Sequence, residues 1–300
     1  MYNGIMNVYK EAGFTSHDVV AKLRGICKQK KIGHTGTLDP DAVGVLPVCF
    51  GSGTKLCDML TDWDKEYIAV LRLGVTTDTQ DLSGRVLFKT EQEKLSALTE
   101  EQVEQNILCF LGGYDQIPPM YSALKMNGKK LYELARAGKE VERKPRRVEI
   151  RELEILEMAL PMVRFRVTCS KGTYIRTLCH DIGERLGCGS AMASLARSRV
   201  GVFNLDGALR LSEIEKLRDE NKISSVIIPP DAVFEEDRAV TVTCEGKRLL
   251  ENGNWLPADM LENGQGLREE EQIRMYDEAG RFYGVYQYRA GKAKPVKMFL

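Results

Sequence analysis

Residues 33–47 read GHTGTLDPDAVGVLP, and this stretch surrounds one carboxylate with residues that interrupt regular structure. The residue before a proline is pushed out of the helical region, and glycine allows positive φ and close approach to a ligand. We therefore expect Gly33 and Gly36 to take positive φ, and Asp39 to stand on a rigid, irregular loop. Such loops often carry catalytic groups. The residues alone leave a second interpretation open, in which Asp39 only caps a turn before Pro40.

The segments around this loop predict a mixture of helices and strands. Thr99 is followed three residues later by Gln102, which is the spacing of a capping box at a helix start. In KEYIAVLRL (65–73), alternate residues share the face that carries Tyr67, as in a half-buried strand. We predict helices over residues 17–27, 99–110 and 173–186, and strands beginning at 7 and over 45–50, 65–73, 148–157 and 162–169. This mixture favours an α+β fold.

The C-terminal part of the chain has a different pattern. Pro229 and Pro230 follow a charged helical segment and predict a domain boundary. Beyond them, short runs such as AVTVTC, QIRMYD and FYGVYQY are separated by turns, which is typical of a small all-β module. We therefore divide the 300-residue chain into a large domain, 1–234, and a small one, 235–300.

Composition argues against several classes of protein. No apolar run approaches the ~20 residues of a membrane span, and the N-terminus lacks the features of a secretory signal. The eight cysteines include no Cys-x-x-Cys pair, and the chain has three histidines. These spacings predict reduced cysteines and no structural metal site. We expect a cytoplasmic protein that makes no membrane contact.

Charge is distributed unevenly along a chain whose formal net charge is zero. Residues 114–151 contain ten Lys or Arg and five Asp or Glu, which leaves a local charge of about +5. A local basic surface can bind phosphates even on a neutral protein. A solvated charged hairpin explains the same composition.

Two further segments bring polar groups to ordered positions. CSKGTYIRT (169–177) places Lys171, Tyr174 and Arg176 near a predicted strand-to-helix junction, and Tyr67 puts a phenol on a strand. The residues alone also fit a helix start with scattered surface charge and a half-buried core tyrosine.

Taken together, these segments resemble the TruB type of bacterial tRNA pseudouridine synthases. GHTGTLDPDAVGVLP is similar to the family's GHTGxLDPxAxGxLP block, and LGVTTDTQDLSG (73–84) to its LGxxTDTxDxxG block. PPMYSALKMNGKKLYELARAG (118–138) and CSKGTYIRTLCHDIGERLGCG (169–189) resemble its insertion and its later core block. The resemblance implies a mixed, largely antiparallel central sheet flanked by helices, with the active cleft across its middle. More weakly, the C-terminal segment resembles a PUA domain, which binds RNA.

The resemblance also implies an activity and a set of site residues. The reaction isomerises uridine to pseudouridine in the T-loop of tRNA, at position 55, and as an isomerisation it requires no cofactor. Asp39 would be the nucleophile, acting at C1′ or C6 or assisting formation of a glycal. Arg176 would pair with Asp39, keep it ionised and lower its pKa. Tyr67 would stack on the uracil and is a candidate for removing the C5 proton, although a phenol with a pKa near ~10 is a weak base. The remaining substrate-binding candidates are Tyr174, which would line the pocket, Leu195, which would wall it, His34, which would fill the space left by the flipped base, and Lys171.

The substrate base must leave its stack to reach Asp39, at a cost of roughly a few kcal/mol. The basic insertion, about 117–147, would close over the T-arm like a thumb and offset this cost through phosphate contacts. The candidates for these contacts are Lys125, Lys129, Lys130, Arg143, Lys144, Arg146 and Arg147. The chain has no charged tail of the kind found in guide-RNA-dependent relatives, so we expect a monomer that acts on tRNA without a guide RNA.

One position departs from the family pattern, which usually has Leu-Arg-Arg where this chain has Leu195-Ala196-Arg197. One contact is therefore in doubt, and Arg199 is a candidate to replace it. One rival function is a metal-dependent transferase built on Asp39, Asp41, Asp78 and Asp81. A second is an RNA-folding module, in which the PUA-like segment and the thumb remodel tRNA, either without catalysis or in addition to it.

Overall fold

The computed structural model describes residues 1–126 and 128–299. Its α-helices are α1 (Ser16–Ile26), α2 (Cys57–Thr61), α3 (Gln92–Ser96), α4 (Glu100–Leu108), α5 (Leu131–Arg136), α6 (Ile175–Arg185), α7 (Leu211–Asp219) and α8 (Lys247–Glu251). Short 3-10 helices span Gly51–Leu56, Ile223–Val226, Pro230–Phe234, Cys244–Gly246 and Ala258–Met260. Within the described ranges, no helix has the length and apolar character needed to cross a bilayer.

The strands in the first two thirds of the chain are β1 (Gly4–Lys10), β2 (Ile32–His34), β3 (Val43–Phe50), β4 (Lys65–Leu73), β5 (Val75–Thr77), β6 (Val86–Lys89), β7 (Gly112–Gln116), β8 (Lys125–Met126), β9 (Lys129–Lys130), β10 (Arg146–Ala159), β11 (Met162–Cys169), β12 (Ser190–Val200) and β13 (Phe203–Asn204). The later strands are β14 (Arg238–Thr241), β15 (Leu256–Pro257), β16 (Gln272–Tyr276), β17 (Phe282–Arg289) and β18 (Lys292–Met298).

A nine-stranded sheet forms the centre of the molecule. Its main path runs β1-β3-β12-β4-β11-β10-β7, with β2 and β13 attached to β3 and β12. The β12–β3 pairing is parallel, and the other pairings in this sheet are antiparallel. The predicted mixed, largely antiparallel sheet is therefore confirmed.

Helices cover this sheet because their apolar faces match its buried side chains. Val103 and Ile107 of α4 and Leu178 and Ile182 of α6 share one buried cluster with β4 and β11 residues such as Phe165. On β4, burial alternates residue by residue, as the sequence pattern predicts. The expected capping box at Thr99 is present at the start of α4, and Thr15 closes a second one at the start of α1.

The C-terminal strands form a second sheet with the order β14-β16-β17-β18-β15. This sheet has its own buried cluster, which includes Val240, Leu250 and Tyr286. Another cluster joins Val285 and Phe299 to residues of the first sheet. The division at 234/235 and the PUA-like character of this part stay predictions.

Candidate active site

The loop that carries Asp39 is held in place by a turn within the loop and by hydrogen bonds from Lys10 at the end of β1. The Asp39 carbonyl accepts the Ala42 amide at 3.1 Å, which closes a turn around Pro40. The ammonium group of the fully buried Lys10 donates to the carbonyls of Pro40, at 2.8 Å, and of Ala42. Burial lowers the pKa of Lys10 to about 8, and the nearby Asp39 charge opposes this effect. The Lys10 side chain, at the end of β1, therefore holds the backbone of this loop in place.

Glycine is required in this loop at Gly44, not at the two positions we expected. Gly44 has φ +109°, and a Cβ there would lie 2.2 Å from the Arg197 carbonyl oxygen. The prediction of positive φ at Gly33 and Gly36 is wrong, since neither is among the positive-φ glycines. Gly33 lies in the short strand β2, where a Cβ would instead lie 3.2 Å from the Cys57 sulfur. The strained backbone occurs where the loop enters β3 beside β12.

The structure brings Asp39 and Arg176 together across 137 residues of sequence. Arg176 Nε lies 2.8 Å from Asp39 Oδ2, and Arg176 Nη2 lies 3.1 Å from Oδ1. This two-point contact orients the carboxylate as well as pairing its charge. The Asp39 side chain is 38% exposed, whereas that of Arg176 is 7% exposed. The carboxylate is thus accessible to solvent, while the guanidinium is buried.

Pairing with Arg176 lowers the pKa of Asp39 as predicted, but the net shift of this pKa is upward. Burial raises the pKa of Asp39, the Arg176 guanidinium lowers it, and the negative charge of Asp81 raises it further. The ion pair therefore offsets only part of the effect of burial. Because the side chain keeps access to water and two charged hydrogen bonds, we expect the ionised form to predominate at neutral pH.

Arg176 also connects the carboxylate to two other segments. Its Nη1 donates to the Thr79 carbonyl at 3.0 Å and lies 3.7 Å from Asp81 Oδ2. Its Nη2 donates to the Tyr121 carbonyl at 2.8 Å, within the basic insertion. A single buried guanidinium thus joins the loop of Asp39, the loop of 78–84 and the base of the insertion.

Tyr67 and Leu195 lie in the same buried cluster as Leu38, the residue before Asp39. Tyr67 is on β4 and Leu195 on the neighbouring β12, so both side chains come from the centre of the sheet. Burial raises the pKa of Tyr67, and the Arg197 guanidinium opposes this rise. The Tyr67 phenol is therefore protonated at neutral pH.

Arg197 is a site residue that the sequence analysis missed. It is opposite Tyr67 in the β12–β4 register and is 1% exposed. Its Nε donates to the Val45 carbonyl at 2.7 Å and its Nη2 to the Gly36 carbonyl at 3.3 Å. In the described part of the chain, no carboxylate lies within ion-pair distance of it. The period-2 pattern that places it on the face of Leu195 is the signal that could have identified it.

Tyr174 and His34 stand at the ends of elements that border the site. Tyr174 is the N-cap residue of α6, and burial raises the pKa of its phenol. His34 ends β2, and its Nδ1 accepts the Gly36 amide at 3.3 Å. Burial and the Arg197 charge lower the pKa of His34, so its imidazole is neutral at neutral pH.

The remaining predicted residues have contacts outside this cluster. Lys171 pairs with Asp62 at 2.8 Å, and its side chain is largely exposed. Ala196 occupies the centre of the sheet, between Val43 and Ile68. Arg199 lies 3.7 Å from Glu66 on the adjacent strand. The role of Lys171 and the replacement of the missing arginine by Arg199 stay predictions.

The basic insertion leaves β7 at Gln116 and rejoins the sheet at Arg146, which is its register partner. It surrounds a cavity of about 290 Å³ whose lining combines apolar side chains with four cations. Lys125, Lys129 and Lys144 are exposed, and Lys130 is half-buried. Arg143 donates to the Pro118 carbonyl and pairs with Glu140, and Arg147 pairs with Asp115. Most of the positive charge therefore faces solvent.

Two acids of the rival metal site, Asp78 and Asp81, accept hydrogen bonds from residues close to them in the sequence. Asp78 accepts the Arg85 amide at 2.8 Å. Asp81 accepts the hydroxyls of Thr79 and Ser83 at 2.7 and 2.6 Å. These contacts are those of turn-capping carboxylates, and they give the 78–84 loop its shape.

The sequence of this chain matches family models and known proteins. Residues 24–175 match the family described as TruB family pseudouridylate synthase (N terminal domain), and residues 176–235 match the tRNA pseudouridylate synthase B C-terminal domain. The tRNA pseudouridine synthase B of Lachnoclostridium phytofermentans is 53% identical over 99% of this chain and 100% of its own length. The enzyme of the same name from Clostridium tetani is 42% identical over the same shares of the two chains.

A solved structure of a Cbf5-Nop10-Gar1 complex contains a chain with the same fold. It has a TM-score of 0.75 and 25% identity, over 100% of this chain and 85% of that chain. The sequence resemblance, the fold and the full-length relatives agree, and this chain belongs to the TruB family of pseudouridylate synthases.

Proposed function

We propose that this chain is a tRNA pseudouridine synthase that isomerises the uridine at position 55, in the T-loop, with Asp39 as its catalytic carboxylate. Relatives that match along their whole length carry the name tRNA pseudouridine synthase B. The observation that carries the assignment of Asp39 is its two-point contact with the buried Arg176. That contact orients the carboxylate and leaves it partly exposed to solvent.

The reaction moves the ribose C1′ from N1 to C5 of the same uracil. The C1′–N1 bond breaks, the base rotates, a C1′–C5 bond forms, and the proton lost from C5 is balanced by one gained at N1. No electron leaves the nucleotide, so the proposed reaction requires no cofactor. A carboxylate can assist by adding to C1′ or C6, or by removing a ribose proton to give a glycal.

Tyr67 is the proposed stacking partner of the uracil. Its ring belongs to the apolar cluster beneath Asp39, which suits a face-on contact with a base. Burial raises the pKa of the Tyr67 phenol and so keeps it protonated. In this form it is a weak acceptor for the C5 proton. The Arg197 guanidinium beside it would stabilise negative charge that develops on the phenol oxygen. Tyr174 and Leu195 complete the proposed pocket.

Binding of RNA is assigned to the basic insertion. Its exposed lysines can neutralise phosphates of the T-arm, which would offset the cost of flipping the target base. A neutral His34 can enter a base stack without the penalty of burying a charge, which supports its role in filling the vacated space. This arrangement places cations around the RNA backbone and neutral groups around the base.

The C-terminal sheet is the proposed second RNA contact. Trp255, just before the edge strand β15, is 54% exposed, and Lys294 Nζ lies 4.1 Å from the centroid of its ring. An exposed aromatic ring beside a cation suits stacking of an unpaired base next to a phosphate. We propose that residues 235–300 bind tRNA away from the T-loop, that the enzyme acts as a monomer without guide RNA, and that it acts in the cytoplasm.

The direct test is incubation with an unmodified T-arm stem-loop, followed by chemical labelling specific for pseudouridine. We expect product at position 55 with wild-type protein, equal product in EDTA, and none with Asp39→Asn. Thermal unfolding of the variant serves as the folding control. Absence of product with wild type, or equal product with Asp39→Asn, would refute the proposal. Loss of activity in EDTA would favour the metal-dependent alternative.

A second function, remodelling of tRNA, is favoured by the exposed lysines of the basic insertion and the exposed ring of Trp255, which are not part of the Asp39–Arg176 pair. Asp39→Asn should therefore still accelerate refolding of an unmodified full-length tRNA. The measurement is the rate at which the tRNA regains its folded fluorescence signal. A rate equal to that without protein would exclude it.

A further inference from the structure

Gln116 is a buried amide at the point where the basic insertion leaves the sheet. It is the last residue of β7, is 1% exposed, and lies opposite Arg146 at the start of β10. The insertion therefore begins and ends at this pair. Any movement of the insertion as a unit must act through the backbone on either side of it.

The Gln116 side chain hydrogen-bonds the backbone of Tyr174, the residue that precedes α6. Its Oε1 accepts the Tyr174 amide at 2.8 Å, and its Nε2 donates to the Tyr174 carbonyl at 3.0 Å. The same Nε2 contacts the Tyr114 hydroxyl two residues back on β7. Tyr174 is the N-cap of α6, and its own side chain makes no capping hydrogen bond. The start of α6 is thus positioned by an amide from the neighbouring strand.

Arg176 is two residues beyond this contact. Its guanidinium makes the two-point pair with Asp39 and also donates to the Tyr121 carbonyl inside the insertion. The insertion is consequently tied to the catalytic pair in two places, through Gln116 to the backbone of α6 and through Tyr121 to the guanidinium. If the Gln116–Tyr174 hydrogen bonds are lost, we expect the N-terminus of α6 to shift relative to the loop of Asp39.

We propose that Gln116 is a positioning residue that sets the Arg176–Asp39 geometry and couples the insertion to it. This inference rests on the proposed function. Only a side chain with an acceptor and a donor side by side can satisfy both backbone groups of Tyr174. Gln116 is 1% exposed, and its side chain bonds to Tyr114 and Tyr174. Its removal should therefore lower the rate of the chemical step and leave RNA affinity nearly unchanged.

Two variants separate these effects. Gln116→Leu removes both hydrogen bonds at similar volume. Gln116→Glu keeps the acceptor but turns a carboxylate oxygen toward the Tyr174 carbonyl, which repels it. Protonation of that carboxyl restores a donor, so activity relative to wild type should recover as the pH is lowered. A residue with a purely structural role gives no such recovery in rate.

The chain offers a matched control in Gln29. Its Oε1 accepts the Tyr2 amide at 2.7 Å, and its Nε2 donates to the Tyr2 carbonyl at 2.9 Å, in a buried position that holds the N-terminal strand. Gln29→Leu and Gln29→Glu therefore make the same two chemical changes to an equivalent pair of bonds without touching α6. Thermal unfolding of both pairs of variants measures the shared cost in stability.

The experiment measures kcat and KM for pseudouridine formation on the T-arm stem-loop. We expect kcat of Gln116→Leu to fall about 10- to 100-fold, the range for a small misplacement of catalytic groups, with KM within about threefold of wild type. The Gln29 variants should keep the wild-type kcat. An unchanged kcat in Gln116→Leu, a change confined to KM, an equal loss in Gln29→Leu, or no recovery of Gln116→Glu at low pH would overturn the inference. Lack of product from wild type would refute the proposed function itself.

Discussion

Replacing Arg176 by lysine tests the pairing on which the proposed mechanism depends. Lysine keeps the positive charge but can replace at most one of the two hydrogen bonds, at 2.8 and 3.1 Å, that hold the Asp39 carboxylate. A hydrogen bond to a charged group contributes about 1.5–3 kcal/mol. Since Asp39 is 38% exposed, water replaces part of the lost bond, and the lower end of that range applies. A loss of ~1.5–2 kcal/mol in the transition state lowers kcat roughly 10- to 30-fold.

The same substitution should shift the pH profile in a defined direction. Burial already raises the pKa of Asp39, and the Arg176 guanidinium opposes that rise. A less closely placed ammonium opposes it less, so the pKa rises further in Arg176→Lys. Because the reaction needs the ionised carboxylate, the acid limb of kcat should move to higher pH.

Release of tritium from C5-labelled uridine in the T-arm measures this rate, since the C5 proton leaves as the new bond forms. Arg166→Lys is the matched control, because Arg166 pairs with Glu154 at 2.6 Å on the surface, where such pairs contribute about 0–1 kcal/mol. We expect wild-type kinetics from it. If Arg176→Lys kept kcat and the acid limb of wild type, the two-point pairing would not be what prepares Asp39 for reaction.

Three further predictions concern the loop, the insertion and a buried lysine. Gly44→Ala should lower the free energy of unfolding by at least ~1–3 kcal/mol, because the new Cβ meets the Arg197 carbonyl at positive φ; an unchanged melting temperature would contradict the strain. Lys125→Gln combined with Lys129→Gln should reduce the slope of log K against log salt for T-arm binding by about 1.5, and an unaltered slope would remove both from the RNA contact. Burial lowers the pKa of Lys65 to about 8 from 10.5. Between pH 8 and 10.5, Lys65 is protonated in the unfolded chain and neutral in the folded chain. The free energy of unfolding should therefore rise with pH in this window. Lys65→Met should flatten that rise in denaturant titrations, and an identical pH dependence would show that Lys65 is not its source.

The elements of the fold were predictable where local pattern and burial coincide. The strand around Tyr67 alternates in sequence as it does in burial, and Thr99 caps its helix as its spacing predicts. The position of Asp39 on an irregular loop could also be predicted, because proline and glycine disfavour regular structure at their own positions in the chain.

What the sequence could not supply depends on packing between distant segments. The upward shift of the Asp39 pKa follows from burial and from the charge of Asp81, and a motif contains no information on desolvation. The positive φ falls at Gly44 because β12 approaches β3 there, 153 residues along the chain. Gln116 was missed for the same reason, since its partner Tyr174 is 58 residues away.

The ammonium groups of Lys10 and Lys65 both donate to backbone carbonyls, and this has a practical consequence for chemical modification. Amines with pKa values lowered to about 8 are the most nucleophilic lysines at neutral pH, yet Lys10 is fully enclosed and Lys65 nearly so. Acylating reagents should therefore spare both while the exposed lysines react. When the chain opens, they become accessible, so mass-spectrometric labelling at Lys10 would serve as a clock for unfolding of the catalytic loop.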